Sequence, residues 1–328
     1  MTLPQAPTPP RPLPTGPLAA IPTFFKVDTE DVDHDSIGAH AIRLVKSGIV
    51  GIVTIGSNGE APHLSHDERI AVTETTRKAL DEAGFGQIPI IMGASDASVR
   101  GTLSLIRGAA KAGADYVLVL PPSYFRGAMT GSVISDFYGR VADSSPLPLL
   151  VYSFPAVAAG IEMDSDLITI ISRHPNVVGT KFTCGDTGKL ARVARAMDAM
   201  TPHATNSGYV CYGGLADFGL MALVAGGSGF IAGGANIFPK TCARLCEAFK
   251  LGGLPKAMEF QRLLSAGDWP HTAAGIAGTK GVLERFNGYG GVPRLPLQPL
   301  NASQLNSIIN LTMEVIKVED NLEPPQHS

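Results

Sequence analysis

Eight short apolar runs, alternating with longer helical patterns, constrain this chain more than any other feature. The runs lie at 20–25, 51–55, 88–92, 116–120, 149–152, 177–182, 209–212 and 229–232. Most are nearly continuous in apolar and β-branched residues, the pattern of parallel strands covered on both faces. Helical stretches fill the gaps. The clearest opens at Ser65-His-Asp-Glu68, a capping-box pattern, and stops at Gly84. Others follow at 99–112 and 133–142, and three more come after the eighth strand, around 254–266, 272–286 and 301–318. Consecutive βα units with no midpoint linker predict a closed (β/α)8 TIM barrel with a C-terminal helical extension, an α/β fold. A doubly wound open sheet would carry a Gly-rich phosphate fingerprint after an early strand, and none is found there. The expected organisation is a disordered Pro-rich arm over 1–17, the barrel over 18–250, C-terminal helices over 251–320 and a tail over 321–328.

Composition narrows the function classes. A hydrophobic fraction of 45% and a charged fraction of 17% suit a large packed core. The formal charge of −3, with Lys and Arg scattered, argues against a nucleic-acid partner. No apolar run approaches the roughly 18 residues that a membrane span needs. The proline-rich first stretch shows neither an apolar signal core nor an Arg-rich amphipathic helix, so a cytoplasmic location is expected. Four cysteines in a chain this long do not make a disulfide framework, and reduced thiols are expected.

In a barrel of this kind the chemistry sits at the C-terminal ends of the strands. The sixth run, Val177-Val-Gly-Thr-Lys-Phe-Thr183, carries a lone ammonium, Lys181, among apolar neighbours. Burial of a lysine disfavours its charged form, and a neutral amine in a water-poor site can attack a ketone to form a Schiff base. A strand-end lysine paired with a carboxylate inside the barrel is the other reading of the same residue. After the second run comes Gly56-Ser-Asn-Gly-Glu60, read either as a turn whose N–H groups face an anion or as an ordinary βα turn. The fifth run ends in Tyr152-Ser-Phe-Pro155, a phenol that relays protons or forms a rim aromatic. The fourth is followed by Pro121-Pro-Ser-Tyr-Phe-Arg-Gly127. Together these put an amine, phenols, a hydroxyl and an amide on one rim.

The ordered set Gly56-Ser-Asn-Gly-Glu60, Tyr152-x-x-Pro155 and Gly179-Thr-Lys181 resembles the dihydrodipicolinate synthase/N-acetylneuraminate lyase family of class I aldolases over nearly the whole chain. The resemblance implies that Lys181 is the Schiff-base lysine and Tyr152 the proton-transferring phenol. It implies that Ser57 and Asn58 hold a pyruvate-like carboxylate, Ser57 also supporting the relay. Tyr124 matches the tyrosine that family members insert into a neighbouring subunit's site, so a homotetramer built as a dimer of dimers is implied. Gly214 and Ile231 match positions that line the site. One departure stands out: dihydrodipicolinate synthases place an arginine two residues beyond the proline of Tyr-x-x-Pro, and here that residue is Val157. Valine offers no fork of donors for a carboxylate, which argues against lysine biosynthesis. Tyr124-Phe-Arg-Gly-Ala-Met129 and His174-Pro-Asn-Val-Val-Gly179 are similar to 4-hydroxy-2-oxoglutarate aldolases. Gly275-Ile-Ala-Gly-Thr-Lys280 and Gly288-Tyr-Gly-Gly-Val-Pro-Arg294 are similar to fungal aldolases of 2-keto-3-deoxy sugar acids.

The implied activity is cleavage of a 4-hydroxy-2-oxo acid or a 2-keto-3-deoxy sugar acid to pyruvate and an aldehyde. No metal or organic cofactor is expected, because the lysine supplies the electron sink. An imine-dependent dehydratase, a condensing synthase and a non-catalytic keto-acid binder are the alternatives. Three other signals carry less. Gly185-Asp-Thr-Gly-Lys189 lacks the spacing of a phosphate loop. His63-Leu-Ser-His66 lacks companions for zinc. Lys26 and Lys280, on a polar flank and in a helical pattern, are weaker nucleophile candidates than Lys181. Arg126 is a possible substitute for the absent carboxylate-binding arginine.

Overall fold

The computed structural model describes residues 10–325. Eight parallel strands close into a barrel in chain order: β1 (Gly16–Ala20), β2 (Gly51–Thr54), β3 (Ile90–Gly93), β4 (Tyr116–Val119), β5 (Leu149–Ser153), β6 (Val177–Phe182), β7 (Val210–Gly213) and β8 (Gly229–Ala232). The connecting helices are α1 (His34–Lys46), α2 (His66–Glu82), α3 (Val99–Lys111), α4 (Gly131–Ser144), α5 (Ser165–Ser172), α6 (Thr187–Ala196), α7 (Gly219–Val224) and α8 (Pro239–Lys250). Ser65 and Glu68 form the expected capping box on α2.

The first strand differs from expectation. The apolar run 20–25 turns away from the sheet after Ala20, and the strand is formed by Gly16–Ala20 instead. Proline at position 17 reads as a breaker. It is accommodated near the start of the strand, where its carbonyl still accepts from Val50 N–H at 3.1 Å. β1 also pairs with β8, closing the barrel. A Cβ on Gly229 would lie 2.0 Å from the Gly16 carbonyl oxygen, so that seam requires glycine.

The Pro-rich arm is therefore not disordered as far as residue 17. Its first nine residues lie outside the described ones, but Leu13 is buried inside the barrel with Leu18, Tyr116 and Tyr212. Arg11 pairs with Asp115 at 2.8 Å, and the Tyr116 and Tyr212 hydroxyls donate to the carbonyls of Arg11 and Pro14. Hydrogen bonding, which composition does not report, fixes this segment. At the other end, Arg244 holds the Glu323 carbonyl and Lys240 that of Leu322, so part of the expected tail is also tied down, and 326–328 lie outside the described residues.

Beyond α8 the chain adds α9 (Leu254–Asn287) and α10 (Ala302–Asn321). The expected helices around 254–266 and 272–286 form one element broken at Gly275, whose backbone takes φ 67° and ψ −152°. Gly275 and Ile276 at the break line the cavity at the barrel mouth, and Gln261 ties the first segment to Ala216, Asp217 and Leu220. Among the described residues no helix is long and apolar enough to cross a membrane, and all four cysteines are free.

Candidate active site

Parallel register places the central pair. Tyr152 on β5 lies opposite Lys181 on β6, so both side chains leave the same face of neighbouring strands and point into the barrel mouth. Lys181 is only 3% exposed, and its Nζ donates to the Tyr152 hydroxyl at 3.4 Å. No ion pair to Lys181 is found among the described residues. The carboxylate partner demanded by the structural reading of this lysine is thus missing, and a phenol stands there instead. The Ser57 hydroxyl lies 3.4 Å from the same phenol, so Ser57, Tyr152 and Lys181 form a chain of three polar groups.

The loop after β2 is held from below by several independent contacts. Ile55 takes φ 56°, a left-handed conformation that costs a β-branched residue of the order of 1–3 kcal/mol. Gly93 makes room for the turn, since a Cβ there would sit 1.9 Å from the Ile55 carbonyl oxygen. Thr23 donates to the Gly59 carbonyl at 2.7 Å, and Asn58 reaches the Ala20 carbonyl at 3.4 Å. Glu60, also left-handed, is wholly buried, with Lys280 at 2.6 Å, Arg294 N–H at 2.9 Å and His63 Nδ1 at 3.0 Å. The N–H groups of Ser57 and Asn58 donate to no acceptor among the described residues, which leaves both available to an anion.

These groups open into one cavity of about 560 Å³, within the size range of small-molecule sites. Ser57, Asn58, Tyr152, Lys181 and Gly214 line it, as does Val157 on its side of the mouth. Two expected residues do not. Tyr124 is 84% exposed and stacks edge-on against Phe125, away from the cavity of its own chain. Ile231 is fully buried in the barrel interior beneath the site, packed in the same cluster as Tyr152. Arg126, the possible substitute for an arginine at 157, is exposed and also stays outside.

Further residues reach the cavity. Thr183 lines it, and its buried hydroxyl has no partner. The period-2 alternation Gly179, Lys181, Thr183 carries its face assignment. Arg69, from the first turns of α2, lines it while donating to the carbonyls of Leu64 and Ser95. Asp268 and His271 arrive from α9. Burial raises the Asp268 carboxyl to about 6 and lowers the His271 imidazole to about 4. No short-range pattern announces these residues, because helix position relative to the barrel is a tertiary fact.

The weaker signals resolve into structure. Asp186 caps α6 by accepting from Lys189 N–H at 2.7 Å, and Lys189 pairs with Glu162, so the phosphate-loop likeness is a helix cap. His63 and His66 bond to Glu60 and Asp96 separately. Lys26 is exposed, and Lys280, which does not line the cavity, is engaged from behind with Glu60, which does.

A closed parallel barrel whose C-terminal mouth gathers an amine, a phenol and a serine in one cavity is the architecture of a β/α-barrel enzyme. The chain belongs to the dihydrodipicolinate synthetase family, which it matches over residues 14–314. It is 49% identical over 310 residues to the L-threo-3-deoxy-hexylosonate aldolase of Hypocrea jecorina, covering 94% of this chain and 98% of that one. It is 40% identical over 313 residues, covering 95% and 98%, to an Emericella nidulans protein named "Probable 4-hydroxy-2-oxoglutarate aldolase, mitochondrial". A crystal structure of a dihydrodipicolinate synthase family protein from Coccidioides immitis superposes with a TM-score of 0.84 at 35% identity, covering 95% of this chain and 99% of the other.

Proposed function

We propose that this chain is a pyruvate-forming class I aldolase that cleaves 4-hydroxy-2-oxo acids, the 2-keto-3-deoxy sugar acids among them, with Lys181 as the imine-forming amine. The observation that carries the reading is the buried Lys181 amine without a carboxylate, 3.4 Å from the Tyr152 phenol. Its relatives' aldolase names support the reaction class.

The Lys181 amine attacks C2 of the substrate, the Tyr152 hydroxyl 3.4 Å away gives its proton to the departing water, and a protonated imine and a Tyr152 phenolate remain. The Ser57 hydroxyl and the free N–H groups of Ser57 and Asn58 bind the C1 carboxylate. Tyr152 takes the proton of the C4 hydroxyl, the C3–C4 bond breaks, and its electron pair moves into the imine. An aldehyde and a pyruvate enamine result. Tyr152 returns its proton to C3, and water hydrolyses the protonated imine to pyruvate and the free amine, the released proton going back to the Tyr152 phenolate. Nothing in the sequence of steps consumes an oxidant, so the lysine alone serves as electron sink.

The exposed Tyr124–Phe125 pair supports a homotetramer in which a second copy brings its tyrosine to this cavity. Gly214 serves by its lack of a side chain, since a Cβ there would meet Thr183 Oγ1 at 2.1 Å, and Ile231 supports the site from beneath. The free thiols fit a reducing compartment, and we assign the cytoplasm. The test is borohydride reduction in the presence of pyruvate, followed by peptide mass analysis. A pyruvate-derived adduct on Lys181 is expected; its absence, or its appearance on another lysine, overturns the assignment.

A further inference from the structure

His271 is a buried polar group with nothing to bond. It lies on α9 one turn before the break at Gly275, is 2% exposed, and neither ring nitrogen has a hydrogen-bond partner. Its nearest aromatic neighbour, Phe238, lies 5.7 Å away in a tilted arrangement and offers no acceptor in its plane. Leaving such a group unsatisfied costs of the order of 1–3 kcal/mol, and native proteins rarely tolerate it without a functional reason. His271 lines the same cavity as Lys181.

We propose that His271 is a specificity residue, donating to and accepting from hydroxyl groups on the aldehyde half of the substrate, beyond C4. The inference rests on the aldolase reading above. Three observations support it. With the carboxylate held at the β2 loop and C2 at Lys181, the part of the cavity walled by α9 remains for the rest of the substrate. Burial keeps the imidazole neutral at pH 7, so one nitrogen donates and the other accepts, which matches a hydroxyl group's own donor and acceptor. Asp268, on the same helix face three residues earlier, also lines the cavity; one of its oxygens accepts from Asp217 N–H at 3.1 Å. Its carboxylate, mostly ionised at neutral pH, disfavours a second carboxylate at that end. Arg69, the guanidinium lining the cavity, already spends two of its donors on carbonyls. A hydroxylated tail fits this wall better than a carboxylate or a methyl group.

The test compares kcat/KM for a 2-keto-3-deoxy-hexonate and for 4-hydroxy-2-oxopentanoate, whose tail is a bare methyl, in the wild type, His271→Leu and His271→Gln. Wild type favours the hydroxylated acid, and His271→Leu narrows that preference by about tenfold or more, chiefly through KM. His271→Gln, which keeps a donor and an acceptor, retains part of it. An unchanged ratio, or an equal fall on both substrates, overturns the proposal and leaves His271 a packing residue. If the Leu variant does not fold, His271→Phe, which likewise has no donor or acceptor, replaces it under the same criteria. Borohydride trapping separates the two readings: a wild type that forms no adduct on Lys181 defeats the aldolase assignment, whereas an adduct with an unmoved substrate ratio defeats only the role of His271.

Discussion

Replacing Lys280 by methionine isolates the ion pair that anchors the loop after β2. Lys280 Nζ lies 2.6 Å from Glu60 Oε1 with both side chains wholly buried, and it also donates to the Val292 carbonyl at 3.1 Å. Removing one partner of a buried pair costs about 3–5 kcal/mol, because the remaining charge is left in a medium that cannot solvate it. Glu60 keeps bonds from Arg294 N–H and His63, which places the expected loss at the lower end, about 3 kcal/mol. The pair is itself costly to bury: desolvation outweighs the attraction of Glu60 and lowers the Lys280 ammonium from 10.5 to about 8. Removing both charges in Glu60→Gln/Lys280→Met therefore restores most of the loss, and the two sites couple by at least about 1.5 kcal/mol. Urea unfolding at pH 7 and one fixed protein concentration measures the four corners of the cycle. Because Glu60 closes the turn that carries Ser57 and Asn58, KM for the keto acid rises in the single variant as well. A Lys280→Met protein within about 0.5 kcal/mol of wild type, or a cycle additive within that margin, would refute the reasoning.

Tyr152→Phe removes the phenol 3.4 Å from Lys181, and kcat for cleavage should fall by about 10²–10⁴; a rate within about tenfold of wild type removes its acid–base role. Gly93→Ala would press a Cβ to 1.9 Å of the Ile55 carbonyl and displace the loop, so loss of soluble protein or of nearly all activity is expected. Gly139→Ala on α4 meets nothing within 4 Å and serves as its control; near-normal activity in Gly93→Ala would show that the turn adapts. The fully buried His40 resists protonation in the folded state, because burial first and then Arg43 lower it from 6.5 to about 3. The unfolded chain binds that proton from about pH 6.5 downward, so stability contributed at neutral pH is lost as pH falls from 6.5 towards 3. At about 1.4 kcal/mol per unit the full loss is roughly 5 kcal/mol. His40→Gln should flatten this acid limb by about 3 kcal/mol between pH 7 and 4.5, read from urea midpoints; an unchanged limb assigns it to other groups.

The sequence by itself determined the repeating unit and hence the barrel, because apolar runs of strand length alternating with helical patterns leave few other ways to bury both faces of a parallel sheet. It also determined that Ser57, Asn58, Tyr152 and Lys181 share a rim, since strand ends in such a barrel converge. Strand alternation gives Lys181 and Thr183 a common face. The start of β1 was not legible, because Gly16 and Pro17 look like a break until the carbonyls of neighbouring strands are in place. Tertiary structure alone decided the rest of the site. The Glu60–Lys280 pair joins residues 220 positions apart, and His271, Asp268 and Arg69 enter the cavity from helices whose local patterns record only an amphipathic face. Local spacing encodes which face of an element is buried; which cavity that face meets depends on how distant elements pack. For the same reason the sequence did not show that Tyr124 stays exposed, outside the cavity of its own chain.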